Sequence, residues 1–157
     1  MAQRSVITEE MRAAVGVESE PLVMEVDSSA CRLFARAVGH TDLIFYDEEH
    51  ARSRGYRSIV APPGYLGTAL YRPDKPPPPL GSRRFSTPYK RFLNGGTDIQ
   101  HFGTICAGDV LTATSKIAEM YEREASIGPM LITVTETTYR NQDGAVVAVL
   151  QGTLISY

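Results

Sequence analysis

Apolar residues recur along this chain with two different periods, and the change falls near residue 83. Before it, helical spacing dominates. The stretch "PLVMEVD" at 21–27 reads as extended. "DSSACRLFARAVG" then places Ala30, Leu33, Phe34 and Ala37 on one helical face, with Asp27 or Ser28 as N-cap and Gly39 as the stop. A second short helix is predicted from Asp47 to Gly55, with Glu48 and Glu49 in the first turn, where the helix dipole favours negative charge. The run "SIVA" leads into Pro62 and Pro63. Proline suits a first helical turn, so "PGYLGTALY" reads as a third helix closed by Pro73. Residues 1–20 read as a polar N-terminal arm, and 72–81 as a proline-rich surface loop, since proline offers no amide to a helix or an interior strand.

Beyond residue 83 the period shortens to that of strands. "RRFSTPYKRFLNGGTDIQHFGTI" holds one or two, with Gly95 and Gly96 marking a turn or bulge, and "GDVLTATSKIAEMYER" is a long further strand. "PMLITVTETTYRNQDGAVVAVLQGTLISY" supplies two more, joined where Asp143 and Gly144 give the Asp-Gly signal of a hairpin. Leu131, Thr133 and Thr135 alternate imperfectly with Ile132, Val134 and Glu136, as expected if one sheet face is buried deeply and the other partly. Helices first and antiparallel strands after them predict an α+β domain, with helices packed on one face of a sheet.

Composition narrows the class of partner. The 157 residues, 43% hydrophobic and 22% charged, suit one globular domain spanning 1–157. Sixteen Lys and Arg stand against 18 Asp and Glu without any block of like charge, so no stripe is present to hold a nucleic acid or an anionic membrane. Proteins and small molecules are the expected partners. The first twenty residues lack the apolar core of a signal peptide and no run approaches the roughly 20 apolar residues of a membrane span, which predicts a cytoplasmic protein. Cys31 and Cys106 fit no metal-binding spacing and read as buried reduced thiols. No metal or redox cofactor is expected.

The most informative stretch is "FARAVGHTDLIFYDEEHARSRGYRSIVAPPGYLG", together with "AGDVLTATSKIAEMYERE" and "ETTYRNQDGAVVAVLQGTLI". These resemble the MaoC-like family of (R)-specific enoyl-thioester hydratases and (3R)-hydroxyacyl-thioester dehydratases over nearly the whole chain. The resemblance implies a single hot-dog fold, a curved antiparallel sheet wrapped around a central helix. In that family a motif A-x-G-D-x-N-P-I-H-x-D supplies a catalytic Asp and His ahead of an A-P-G turn. Ala37, Gly39, Ile44 and Asp47 match it, while His40 stands at the catalytic Asp, Asp42 at the Asn, Leu43 at the Pro and Phe45 at the catalytic His.

Hydration of an enoyl thioester needs one group to activate water, another to deliver a proton, and a donor set for the thioester oxygen. Phe45 has no titratable group. His40 can titrate near neutral pH, alone or with Asp42. The resemblance is closest to the non-catalytic subunits of two-chain dehydratases. It implies an acyl-pocket-forming subunit of a heteromeric (R)-specific enoyl-CoA hydratase or (3R)-hydroxyacyl-ACP/CoA dehydratase, whose partner is a hot-dog chain with an intact Asp/His dyad. Candidate substrate-binding residues are Phe45, Tyr46, Ala61, Pro62, Pro63, Gly64, Tyr65 and Leu66, with Leu70 as further wall; the aromatic and aliphatic ones fit plain core equally well. The "APPGYLG" turn would offer backbone amides at the start of the central helix. Two other readings remain: a self-sufficient hydratase or thioesterase using a displaced His40/Asp42 site, and a homodimeric acyl-thioester-binding protein without catalysis. His50 and His101 have no assigned partner, and Gly108-Asp109 reads as a structural turn into a strand.

Overall fold

A computed structural model describes residues 5–75, 85, 87–126 and 128–157. Its elements are α1 (Glu9–Ala14), β1 (Leu22–Glu25), α2 (Ser28–Ala37), a 3-10 turn (Leu43–Phe45), α3 (Glu48–Ser53), β2 (Thr68–Ala69), β3 (Phe92–His101), β4 (Val110–Ala125), β5 (Gly128–Arg140) and β6 (Val146–Ser156). The strands form one antiparallel sheet in the order β2-β1-β4-β5-β6-β3. No helix among the described residues is long and apolar enough to cross a membrane.

The α+β order and the strands of the second half are as expected. Gly95 and Gly96 do mark a bulge, because the β3–β6 register shifts between Asn94 and Gly96. A side chain at Gly95 would lie 3.0 Å from Ile155 and Thr153, so the sheet needs glycine there. β5 and β6 join where Asn141 and Ala145 close the loop and Gly144 takes φ 80°. β4 is also bulged, between Ile117 and Glu119.

α2 begins as predicted: the Asp27 carboxylate accepts from the amides of Ser29 and Ala30, and Gly39 follows the end at φ 78°. Its inward face is turned from the one expected. Cys31 and Ala35 are buried and Phe34 is half-buried, whereas Leu33 is 63% exposed and Ala37 lies outside. The cause is the packing target. Cys31 joins Ile59, Leu66, Ile105, Leu111 and Ala148 in the main buried cluster, where each fully buried Leu or Ile contributes about 1.5–3 kcal/mol.

The predicted third helix is absent, and this is the main correction to the sequence reading. Pro62 to Tyr65 form a tight turn, the Tyr65 amide donating to the Pro62 carbonyl at 2.9 Å, with Gly64 at φ 93° behind Pro63 as a type II turn requires. Gly67 sits at φ 88°, also outside helical space. The chain then pairs as β2 with β1, and the Leu70 amide donates to the Val23 carbonyl at 3.0 Å. Two glycines at positive φ interrupt a helix of this length, and sheet pairing satisfies the backbone instead. Consequently the amides of "APPGYLG" do not lie at a helix start. In the proline-rich loop, Arg72 and Asp74 pair at 2.6 Å, and 76–81 lie outside the described residues.

Gly67 is held against β1: a Cβ there would lie 3.1 Å from both the Glu25 carbonyl oxygen and the Met24 Cβ. Gly67→Ala combines that crowding with an unfavourable φ and is expected to cost about 1–3 kcal/mol, read as a lowered urea midpoint at unchanged slope.

The N-terminal arm is structured where it is described. Thr8 caps α1, Met11 is fully buried, and the following residues run beside β4, with the Gly16 amide on the Ile117 carbonyl at 2.8 Å and Ser19 on Ser115 at 2.7 Å.

Candidate functional site

The residues singled out in the sequence fall into two groups that the fold brings side by side. The first lies between α2 and α3. Asp42 accepts from the Ile44 amide at 3.0 Å and so caps the 3-10 turn, and Asp47 accepts from the His50 amide at 2.6 Å and caps α3. The Tyr46 hydroxyl donates to the His40 carbonyl at 2.6 Å, and Arg32 Nε donates to the Tyr46 carbonyl at 2.9 Å. These bonds draw residues 40–46 into a compact loop. Within it the His40 and Phe45 rings meet at 5.2 Å with a 41° tilt, and Phe45 is only 8% exposed. No hydrogen bond or ion pair joins His40 to Asp42 among the described residues; the carboxylate faces solvent from its cap.

The second group is the 61–66 turn. The Val60 amide donates to the Ile44 carbonyl at 3.0 Å, tying it to the first group, while Ala61 and Ala107 exchange backbone bonds with Ile105 and Ile59 at 2.8 Å. Phe34 bridges the groups from α2, stacking on Tyr65 at 5.6 Å and lying 3.5 Å from where a Cβ on Gly64 would sit. Ala61, Pro62, Tyr65 and Leu66 are buried, and Tyr65 and Leu66 belong to the core of this chain. The Tyr65 and Thr68 hydroxyls are hydrogen-bonded at 2.9 Å. Pro63 and Gly64 are exposed, as is Leu70 at 40%. Phe34 is the site residue that sequence reasoning placed on a helix face without giving it this bridging part.

One polar centre was not anticipated. Asp109, 2% exposed, accepts two parallel bonds from Arg57 at 2.9 Å, one from the Cys106 amide at 2.9 Å and one from Gln142 Nε2 at 3.1 Å. Its backbone also pairs with Val26, the Val26 amide donating to the Asp109 carbonyl at 3.0 Å. Burial alone would push the carboxyl up, but the bonds from Arg57, the Cys106 amide and Gln142 outweigh it and hold the group below the ordinary carboxylate value. Gly108-Asp109 was legible as a turn; Arg57, 52 residues earlier, carried no local signal.

Glu48 fastens the same segment from α3. It accepts from Ser58 Oγ at 2.8 Å, the Ile59 amide at 3.2 Å and Arg52 at 2.9 Å. The site is thus a braced apolar shelf. Burial pushes the Cys31 thiol up to about 11, so it stays protonated and is a poor nucleophile near neutral pH. His50 is half-buried in α3 and His101 exposed at the end of β3. Among the described residues no group of three or more His, Cys, Asp or Glu could hold a metal ion. Such a shelf can shape and exclude water from an apolar ligand, but it presents no paired acid and base.

The family model described as "FAS1-like, dehydratase domain region" matches residues 13–150. A UPF0336 protein of Streptomyces griseus is 34% identical over 96 residues, 59% of this chain; the match spans 61% of that relative. Among solved structures, the truncated HadBC (3R-hydroxyacyl-ACP dehydratase) complex of Mycobacterium tuberculosis matches with a TM-score of 0.71 and 24% identity, covering 90% of this chain and 96% of that one. The ChsH1–ChsH2 complex of the same organism gives 0.67 and 18%, covering 89% and 88%. The fold is therefore the hot-dog fold of the MaoC-like dehydratases, here built without a helix over 62–71.

Proposed function

Because the chain belongs to the FAS1-like dehydratase domain family, we propose that it is a non-catalytic, acyl-pocket-forming subunit of a heteromeric (R)-specific enoyl-CoA hydratase or (3R)-hydroxyacyl-ACP/CoA dehydratase. The observation that carries this reading is Phe45. The position that the family motif gives to its catalytic His is held by a buried ring stacked on His40. A residue so placed supplies apolar wall and no proton. His40 does not compensate, since Asp42 is spent on capping the 3-10 turn.

The acyl chain of a thioester would lie along Pro63, Gly64 and the exposed flank of the 40–46 loop, and the partner would bring the Asp and His. Similarity to HadBC and to the ChsH1–ChsH2 complex supports a paired arrangement of two hot-dog chains. The partner and the thioester are the parts of the reading that experiment must supply.

The test is hydration of crotonyl-CoA and of a longer trans-2-enoyl-CoA by this chain, alone and mixed with a dyad-bearing hot-dog chain encoded beside it. Activity in the mixture is expected to exceed that of either chain, and this chain alone to fall about 10²-fold or more below it, the scale of losing general acid–base catalysis. Full activity from this chain alone would overturn the proposal and favour the displaced His40/Asp42 site; binding of the thioester without turnover in any mixture would favour a homodimeric binding protein.

A further inference from the structure

β3 is the outermost strand of the sheet, and its far side has no strand partner among the described residues. It is ten residues long, with Leu93 51% exposed and Phe102, just past its end, 62% exposed. An edge of this length with unpaired backbone groups is a template for another strand.

A row of polar side chains runs across four strands to that edge. The registers place Lys116 beside Glu136, Glu136 beside Gln151 and Gln151 beside Asp98. Lys116 Nζ is 3.0 Å from Glu136 Oε1, and Gln151 Nε2 donates to Glu136 Oε2 at 3.4 Å. Glu136 therefore takes both the cation and the amide. Asp98, exposed at the open end, is left without a cation among the described residues. It borders a depression of about 270 Å³ lined by Asp98, Gln100, Glu136, Val149 and Gln151.

The edge also discriminates. If β3 pairs antiparallel with a second copy of itself, any register centred on 97, 98 or 99 sets the two Asp98 carboxylates directly opposite or diagonal, about 4.5–8 Å apart. Like charges at that spacing oppose pairing. A strand with Lys or Arg there would complete the row.

We propose that the β3 edge receives, in antiparallel pairing, the edge strand of a different hot-dog chain, with a Lys or Arg of that chain seated beside Asp98 in the depression. The inference rests on the reading of this chain as one half of a two-chain dehydratase. It adds that Asp98 selects the other chain over a second copy of this one.

The experiment is association of the purified chain with the dyad-bearing chain, by calorimetry and sedimentation at 50 mM and 500 mM salt, alongside the hydration assay. Asp98→Lys is expected to weaken the mixed complex about tenfold at low salt, an effect that shrinks at high salt, while Glu20→Lys, the same charge change on an exposed residue away from β3, leaves it unchanged. Asp98→Asn alone is expected to self-associate more tightly than the parent chain. An active mixture that Asp98→Lys and Glu20→Lys affect equally would overturn the Asp98 assignment and leave the subunit reading standing. Self-association that Asp98→Asn does not strengthen would overturn the discrimination. A mixture with neither association nor activity would overturn both.

Discussion

Asp109→Ala is expected to lower the unfolding free energy by about 3–4 kcal/mol, the cost of breaking a buried ion pair together with its hydrogen bonds. The loss has three parts. Two bonds to Arg57 disappear, but that side chain is 60% exposed and returns to water, so they account for little. The Cys106 amide is different: it is buried, its acceptor is the carboxylate, and left unpaired it costs about 1–3 kcal/mol. Gln142 loses its contact as well, loosening the β5–β6 turn from the rest of the fold. Urea unfolding followed by far-ultraviolet circular dichroism would give the number, and a loss under 1 kcal/mol would show that water replaces the carboxylate.

The same carboxylate gives the protein a pH signature. Its folded-state value lies below the ordinary one, so the unfolded chain takes up a proton first as pH falls. The stabilisation is complete above the unfolded value, near 4, and is lost as pH drops through the folded value. Asp109→Asn should therefore be less stable than the parent at pH 7, with the gap narrowing below about pH 4. A gap that stays constant over that range would mean that the charge contributes nothing.

Phe45→His, which writes the family's catalytic residue back into the chain, is expected to cost about 2–3 kcal/mol and to yield no hydratase activity alone. The position is 8% exposed and the neighbouring ring is His40, not an aspartate. An imidazole there is buried with no carboxylate to orient it. Held neutral by burial in the folded state, it would be protonated first in the unfolded chain, so the penalty should grow as pH falls below about 6.5. Comparison of urea midpoints at pH 7.5 and 5.5 reads this directly, with Phe45→Leu as the apolar control. If Phe45→His were as stable as the parent and hydrated crotonyl-CoA, the shelf would be a resting active site.

What could be read from the sequence follows how local the cause is. Strand alternation, the Asn141–Ala145 loop and the Asp27, Asp42 and Asp47 positions depend on residues within a few places of one another, and caps and strands appeared where their residues indicated or, for Asp42, in a role that sequence left open. The inward face of α2 depends on what it packs against, and Leu33 was misread because its hydrophobicity says nothing about direction. The 62–71 segment failed for a different reason. Its Pro-Pro-Gly start fits a helix and a type II turn alike, and the choice was made by β1, some forty residues away. α1 escaped because a single buried residue, Met11, anchors an otherwise polar run. At the site, the loss of the family's Asp and His was plain in the sequence, but the brace of Arg57, Asp109 and Gln142 needed three distant segments to meet.

The two borders of the sheet are finished differently. At one, β2 is only two residues long and the arm that follows α1 lies along β4 beyond β1, so little backbone is left to recruit a neighbour. At the other, β3 offers ten residues. A body with one open border has a valence of one: strand addition ends with the second molecule, and growth into ribbons or fibres has nowhere to continue. The short strand and the docked arm thus act as a stop, and removing the arm would be the change that turns a pairing surface into a polymerising one.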